Sequence, residues 1–387
     1  MTFSPVTLEI SGERFQISYL ISGGEALAIK KAQDVCLEQT VELSDSMVPD
    51  GDLRDHIVGQ IENYQQVEAD LYEFKISYAV EITGFELAGL LSVIFGNTSM
   101  KRGVRVQRAV FPDSLLAHFP GPRFGTKGLR KLLEVPSRPL LGTALKPVGY
   151  SPGLLAESAY SYALGGIDII KDDHGLINQP FATFQERTRQ CAAAVNRANK
   201  KTGGKTLYVP NISGPVDQVV ERAMFAKDAG AGGVELYSGI VGYDFLRVLA
   251  EDDRIGLPIF NHPALVGTYF INPREGISHE FLFGQLVRLA GADAAIFTSI
   301  GGRFPTTRKD CQNLAVGAAR PMGKHIKPIL LMPGGGMTID RVEEMLDLYG
   351  NDVILLISGG LFSIGPDLVA NCQKFKNKVV QYSSKWE

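Results

Sequence analysis

Cysteine is scarce in this chain, and its four copies (Cys36, Cys191, Cys311, Cys372) lie far apart with no C-x-x-C pair among them. That spacing argues against a disulfide framework or a zinc knuckle and predicts the reduced thiols of an intracellular protein. No run of about 18 apolar residues occurs, so no membrane-spanning helix is expected. The start, Met1-Thr-Phe-Ser-Pro, lacks a basic segment followed by an apolar core, which predicts no signal peptide and a cytoplasmic location. An excess of one charge is missing too. With 39 Lys and Arg against 42 Asp and Glu, the formal net charge is −3, and the isoelectric point is about 6.1. Nothing global draws such a chain to nucleic acid or to an anionic membrane. Low-complexity segments are absent. What is plentiful is glycine, 42 in 387 residues, which suits a fold with many tight strand-to-helix turns.

A chain this long can bury a large core and suggests two domains or one large one. Residues 1–136 alternate strand-like and helix-like patches. ERFQISYLIS and YEFKISYAVEIT alternate as strands do, GGEALAIKKAQDVCLEQ looks helical, and FELAGLLSVIFGN is an apolar amphipathic helix ending at Gly96-Asn97. This is an α+β module. The boundary is expected inside HFPGPRFGTKGLRKLLEVPSRP, which carries four prolines.

Over residues 137–387 the rhythm changes. Eight short apolar runs recur with room for a helix between each: RPLLGTALKP, GIDIIKDD, TLYVPNIS, GGVELYS, LPIFNHP, ADAAIFTS, KPILLMPGG and DVILLISGG. Strands alternating with helices mean a parallel sheet, and eight units predict a (β/α)8 TIM barrel, with a doubly wound open sheet as the alternative.

In such barrels chemistry sits at the C-terminal ends of the strands. There the polar residues collect: Lys146, Lys171-Asp172-Asp173-His174, Asn211, Glu235, Asn261-His262, Thr298-Ser299, Gly334–Gly336 and Ser358–Gly360. Their convergence predicts an enzyme rather than a scaffold. In GGIDIIKDDHGLINQPF, Lys171 and Asp173 should share one face of the strand while Asp172 points the other way. The pair either closes a strand end as a salt bridge or forms a metal site. For the latter, the neutral amine of Lys171 adds CO2 to give an anionic carbamate, and Asp173 supplies a second oxygen. His174 is the odd member, because Mg2+ prefers oxygen ligands while imidazole suits Mn2+, Zn2+ or Fe2+ better. Lys146 precedes a proline and is a candidate acid or base, or else a salt-bridge partner of the nearby aspartates. His262 is a second catalytic candidate or else a satisfied structural histidine, and Arg303 in SIGGRF can clamp an anion bidentately or remain a solvated loop residue. Gly334, Gly335 and Gly336, with Ser358, Gly359 and Gly360, end the last two strands, where barrels commonly bind phosphate; the plainer role is to turn the chain.

Together these segments resemble the large chain of ribulose-bisphosphate carboxylase (Rubisco), and more closely the Rubisco-like proteins that do not fix CO2. GTALKP resembles the family's first barrel strand with its catalytic lysine. GGIDIIKDDH–INQPF resembles its carbamylated-lysine and metal segment, NHP its substrate-contacting histidine, and the glycine clusters its phosphate loops. LEQT and GNTS fall where the family has a glutamate and an asparagine that complete a partner subunit's site, which implies roles for Glu38 and Asn97 in a homodimer or higher homo-oligomer. The resemblance spans nearly the whole chain. It implies a ferredoxin-like N-terminal domain, Lys146, Lys171, His262, Asn97, Glu38 and Arg303 as catalytic residues, and Lys171, Asp173 and His174 around Mg2+ or Mn2+.

The departures matter as much. Val148 stands where the carboxylase has a second lysine, His174 where it has a glutamate, Pro263 where an arginine follows the histidine, and Phe297 at the strand-six histidine of the second phosphate site. A substrate with one phosphate is therefore expected, and CO2 fixation is not. The enolases of the family carry a lysine base near the position of Asn97. Its absence favours decarboxylation or carbon–carbon cleavage of a phosphorylated 3-oxo sugar acid (3-oxo-isoapionate 4-phosphate type), through a metal-stabilised enediolate. The alternatives are a sugar-phosphate enolase or isomerase of methionine salvage, and a non-catalytic family member.

Overall fold

The computed structural model describes residues 6–384; the five residues read for a leader lie outside the described ones. The N-terminal part is a sheet of β1 (Arg14–Ser22), β2 (Gln60–Glu68), β3 (Leu71–Ala79) and β4 (Val104–Val110). Helices Glu25–Glu38 and Leu87–Phe95 follow β1 and β3. The spatial order β4-β1-β3-β2, all antiparallel, is the ferredoxin-like arrangement. Alternation drives it: Phe15, Ile17, Tyr19 and Ile21 of β1 are fully buried, facing the helices. Tyr19 keeps its hydroxyl satisfied by donating to the Ile94 carbonyl at 2.7 Å.

β2 was invisible to the sequence pattern. Eight of the nine residues of QIENYQQVE are exposed and the ninth, Ile61, is half-buried. It is an edge strand recruited by backbone pairing to β3 and by Tyr64 stacking on Phe74 at 5.0 Å, so no hydrophobic alternation marks it.

The eight apolar runs become eight parallel strands: β5 (Leu140–Leu145), β6 (Ile169–Asp172), β7 (Leu207–Val209), β8 (Val234–Leu236), β9 (Ile259–Asn261), β11 (Ala294–Thr298), β12 (Leu330–Gly334) and β13 (Ile354–Leu356). They form two four-stranded sheets, β13-β5-β6-β7 and β12-β11-β9-β8. Parallel bridges Asn211–Glu235 and Leu331–Val353 join the sheets at both seams and close the barrel. Leu140, Ile169, Val209, Phe260, Ala294, Ile296, Leu330, Met332 and Ile354 fill the interior, and Leu129 and Leu133 of helix Gly125–Leu133 join that cluster. The alternate residues, such as Ile170, Tyr208, Val234 and Leu331, pack outward against the helices.

One short strand, β10 (Gly276–Ile277), leaves the barrel's connection after β9 and pairs in parallel with β4. The Ser278 N–H also donates to the Val106 carbonyl at 2.8 Å, so the barrel is clipped to the N-terminal sheet. Among the described residues no helix is long and apolar enough to cross a membrane.

Candidate active site

The inward parity of each strand continues past its end. Leu140 leads through Gly142 and Ala144 to Lys146, Ile169 through Lys171 to Asp173, Phe260 to His262, Ile296 to Thr298, Met332 to Gly334, and Ile354 to Ser358. These ends line one cavity of about 1130 Å³, which also reaches Arg303, Gly335, Gly336, Gly359 and Gly360.

Lys171 and Asp173 lie on the cavity side of their strand. Asp172 points away, into the helix layer, where it accepts hydrogen bonds from Arg187 (3.0 Å), Tyr208 (2.9 Å) and the Asn211 N–H (3.0 Å). Asp172 is structural. Lys171, with its side chain 2% exposed, lies 2.9 Å from the carboxylate of Glu235, which is 0% exposed. Neither Glu235 oxygen has a well-directed hydrogen bond. Burial pushes this carboxyl up to about 7, with the charge of Lys171 pulling the other way. Glu235 had no assigned role from the sequence, although an acidic residue inside the apolar run GGVELYS was a visible signal.

The Lys146 ammonium lies 2.9 Å from Asp173. Burial raises the Asp173 carboxyl, but the hydrogen bond and charge of Lys146, helped by Lys171 and His174, hold it below the usual carboxylate range. His174 is exposed; its Nδ1 is 3.7 Å from Asp173, and its ring lies nearly parallel to that of His262 at 6.1 Å. Loss of hydration, then the positive charges of Lys171 and His174, push His262 well below the usual histidine value. Its Nδ1 accepts from the Ala264 N–H at 3.1 Å, which leaves the neutral ring with Nε2–H as a donor.

The glycine clusters divide into two kinds. Gly335 (φ +93°) and Gly336 (φ +133°) occupy the left-handed region. A Cβ on Gly302 would lie 2.0 Å from the Gly335 carbonyl, so the loops after β11 and β12 touch backbone to backbone. Turning and close approach explain these glycines. Gly359 differs: a Cβ there would meet nothing within 4 Å. Ser358 accepts from the Ala144 N–H at 3.1 Å and ties its loop to β5. Arg303 is exposed at the rim, over the Phe304 ring at 5.7 Å.

Two expected site residues are not at the cavity of their own chain. Glu38 and Asn97 are brought together instead, with Asn97 donating to Glu38 at 3.1 Å and Lys101 pairing with Glu38 at 2.9 Å. Phe297 lines the cavity while its ring also packs against Phe283 and Tyr349, and its neighbour Ile296 lines the cavity from the interior cluster. Strand parity makes Ile296 the uncharged residue facing inward at that strand.

Among the described residues no three His, Cys, Asp or Glu side chains converge as a ready metal site. Asp173 and His174 are two donors at the mouth; a third arises if Lys171 carries CO2. The Glu235 oxygens, one of them 2.9 Å from the Lys171 amine, lack a well-directed hydrogen bond, so this polar pocket is not saturated by the protein. The donor set thus fits a divalent cation with Lys171 in carbamate form.

Residues 125–370 match the model for the ribulose bisphosphate carboxylase large chain, catalytic domain. A 5-methylthioribulose-1-phosphate isomerase of Rhodospirillum rubrum is 36% identical over 374 residues, covering 96% of this chain and 98% of that protein. A 2,3-diketo-5-methylthiopentyl-1-phosphate enolase of Bacillus cytotoxicus is 33% identical over 303 residues, 78% of this chain and 73% of the enolase. The crystal structure of a Rubisco-like protein from Rhodopseudomonas palustris matches with a TM-score of 0.86 at 36% identity, over 95% of this chain and 98% of that one.

Proposed function

Because this chain belongs to the ribulose bisphosphate carboxylase large-chain family, we propose that it binds a singly phosphorylated ketose at the barrel mouth and moves a proton next to the carbonyl, as an isomerase or enolase does. The observation that carries this is the one-sided mouth: two lysines and an aspartate stand beside glycine loops at one end, while Ile296 and Pro263 face the other. The names of the relatives support proton transfer on monophosphates over carbon–carbon cleavage, the reaction expected from the missing lysine near Asn97. The concentration of ionised groups in one cavity favours an enzyme over a non-catalytic relative.

Lys146 is the group assigned to the proton. It is paired with Asp173 but a third exposed, so a bound substrate can reach it; once it has released its proton to solvent, the neutral amine takes the proton from the carbon beside the carbonyl and, as the ammonium, returns it to the neighbouring carbon or oxygen. His262, neutral, donates Nε2–H to the carbonyl or hydroxyl oxygen that gains charge. The phosphate lies against the open backbone at Gly359, with Arg303 near the rim. Lys171 as a carbamate, Asp173 and His174 would hold Mg2+ or Mn2+, whose charge would stabilise the enediolate oxygens. Glu38 and Asn97 serve the partner's mouth in a homodimer, for which the exposed apolar rim (Leu265, Tyr269, Ile271, Phe304) offers surface.

The test is solvent deuterium exchange. A panel of ketose monophosphates is incubated in D2O and followed by proton NMR; exchange at the carbon beside the carbonyl is expected with the native chain and not with Lys146→Met. Release of CO2 or a two-fragment product without exchange would replace this reading with the cleavage one.

A further inference from the structure

The cavity is larger than a five- or six-carbon sugar monophosphate requires, being above the usual range for drug-sized ligands. It extends from the barrel mouth to the open face of the N-terminal sheet, where Leu20, Leu71, Arg105 and Gln107 line it. Arg105 is 4% exposed. One nitrogen, Nη1, donates to the carbonyls of Phe270, Asn272 and Glu275. Among the described residues Nε and Nη2 have no hydrogen-bond partner, and no carboxylate lies within ion-pair distance of Arg105. A buried guanidinium without a counter-ion is costly, and burial pulls it below its usual proton affinity.

The carboxylates around it are already engaged. Asp310 faces His279 at 3.5 Å and caps helix Arg308–Ala319 through Thr307. Glu280 pairs with Arg320 at 3.2 Å, and Glu68 lies 4.0 Å from Arg274. His279, which also lines the cavity, is 4% exposed between Phe270 and Phe283; its Nδ1 faces Asp310, while its Nε2 has no hydrogen-bond partner. Two buried polar groups, one a cation, thus line a single lobe with donor capacity unused.

We propose that this lobe is a second anion subsite, in which the free edge of Arg105, with His279 beside it, takes a carboxylate or phosphate oxyanion. It is separate from the barrel-mouth position where Pro263 and Ile296 stand. The source is either an acidic group at the far end of the substrate, whose phosphate end rests on the sugar-phosphate reading above, or a free anion bound beside the substrate.

Equilibrium dialysis with radiolabelled inorganic phosphate counts the sites: two per chain are expected, falling to one in Arg105→Gln and unchanged in Arg189→Gln on the exposed face of helix Phe184–Thr202, outside the cavity. Calorimetry with 6-phosphogluconate and glucitol 6-phosphate separates the sources. If the substrate's own acid is bound, Arg105→Gln loses roughly 10- to 100-fold in affinity for the first and nothing for the second, the range for a hydrogen bond to a charged group. If a free anion is bound, both compounds keep their affinity while the second phosphate is lost. Because Arg105 also holds the loop at 270–275, Arg105→Lys is run alongside; it keeps a charge and should retain the second site weakly. If the number of sites and the preference are unaltered in a folded Arg105→Gln, the guanidinium is only a clamp and the subsite is refuted. Loss of the second phosphate with neither organic phosphate bound would keep the subsite and overturn the sugar-phosphate reading.

Discussion

The Lys171 ammonium and the Glu235 carboxylate face each other at 2.9 Å with side chains 2% and 0% exposed. Two charges so placed are held by each other, and removing one leaves the other buried and uncompensated. Glu235→Ala is expected to cost about 3–5 kcal/mol, read by urea unfolding at pH 8. Glu235→Gln should cost less.

The same pair gives stability a pH dependence. The Glu235 carboxyl is raised from its usual 4.5 to about 7 by burial, so between those values the folded chain holds more protons than the unfolded one. Its contribution is fully present below about 4.5 and is lost as pH rises through about 7. The stability difference between native chain and Glu235→Gln should therefore shift against the native chain across that window. A difference flat from pH 4.5 to 7 would contradict the raised value.

Two glycines should behave oppositely. A Cβ at Gly302 would lie 2.0 Å from the Gly335 carbonyl, whereas at Gly359 it would meet nothing within 4 Å. Gly302→Ala is expected to destabilise by about 1–3 kcal/mol. Gly359→Val should leave the melting temperature in place and, on the proposed placement of the phosphate at that open backbone, raise KM for the phosphorylated substrate at least tenfold.

The metal donors can be tested by direct binding. Bicarbonate should strengthen Mn2+ binding to the native chain and have no effect on Lys171→Met. His174→Glu adds an anionic oxygen donor, so relative affinity should move towards Mg2+. An unaltered metal preference would place His174 outside the coordination sphere.

If Glu38 and Asn97 serve the partner's mouth, two inactive variants should rescue one another. Mixing Asn97→Ala with Lys146→Met under subunit exchange is expected to restore deuterium exchange through heterodimers with one intact site. Full activity of a monomer would refute the shared site.

The eight strands and the facing of Lys171 and Asp173 were legible in the sequence, because both follow from a local rule. Buried parallel strands are apolar runs, and side chains alternate along each. That rule carries from Ile169 to Lys171 to Asp173 without knowledge of any neighbour. It failed at β2, whose polar residues owe their strand to the partner β3, and strand parity alone would have added Ile296 beside Phe297 in the cavity. What lies across from a residue is set by sheet order, closure and the clip between domains, none of which is written locally. So Lys171 meeting Glu235 two strands away, Asp172 turning to Arg187, Glu38 finding Asn97, and Arg105 reaching the barrel's cavity through the pairing of β10 with β4 were decided by the tertiary structure alone.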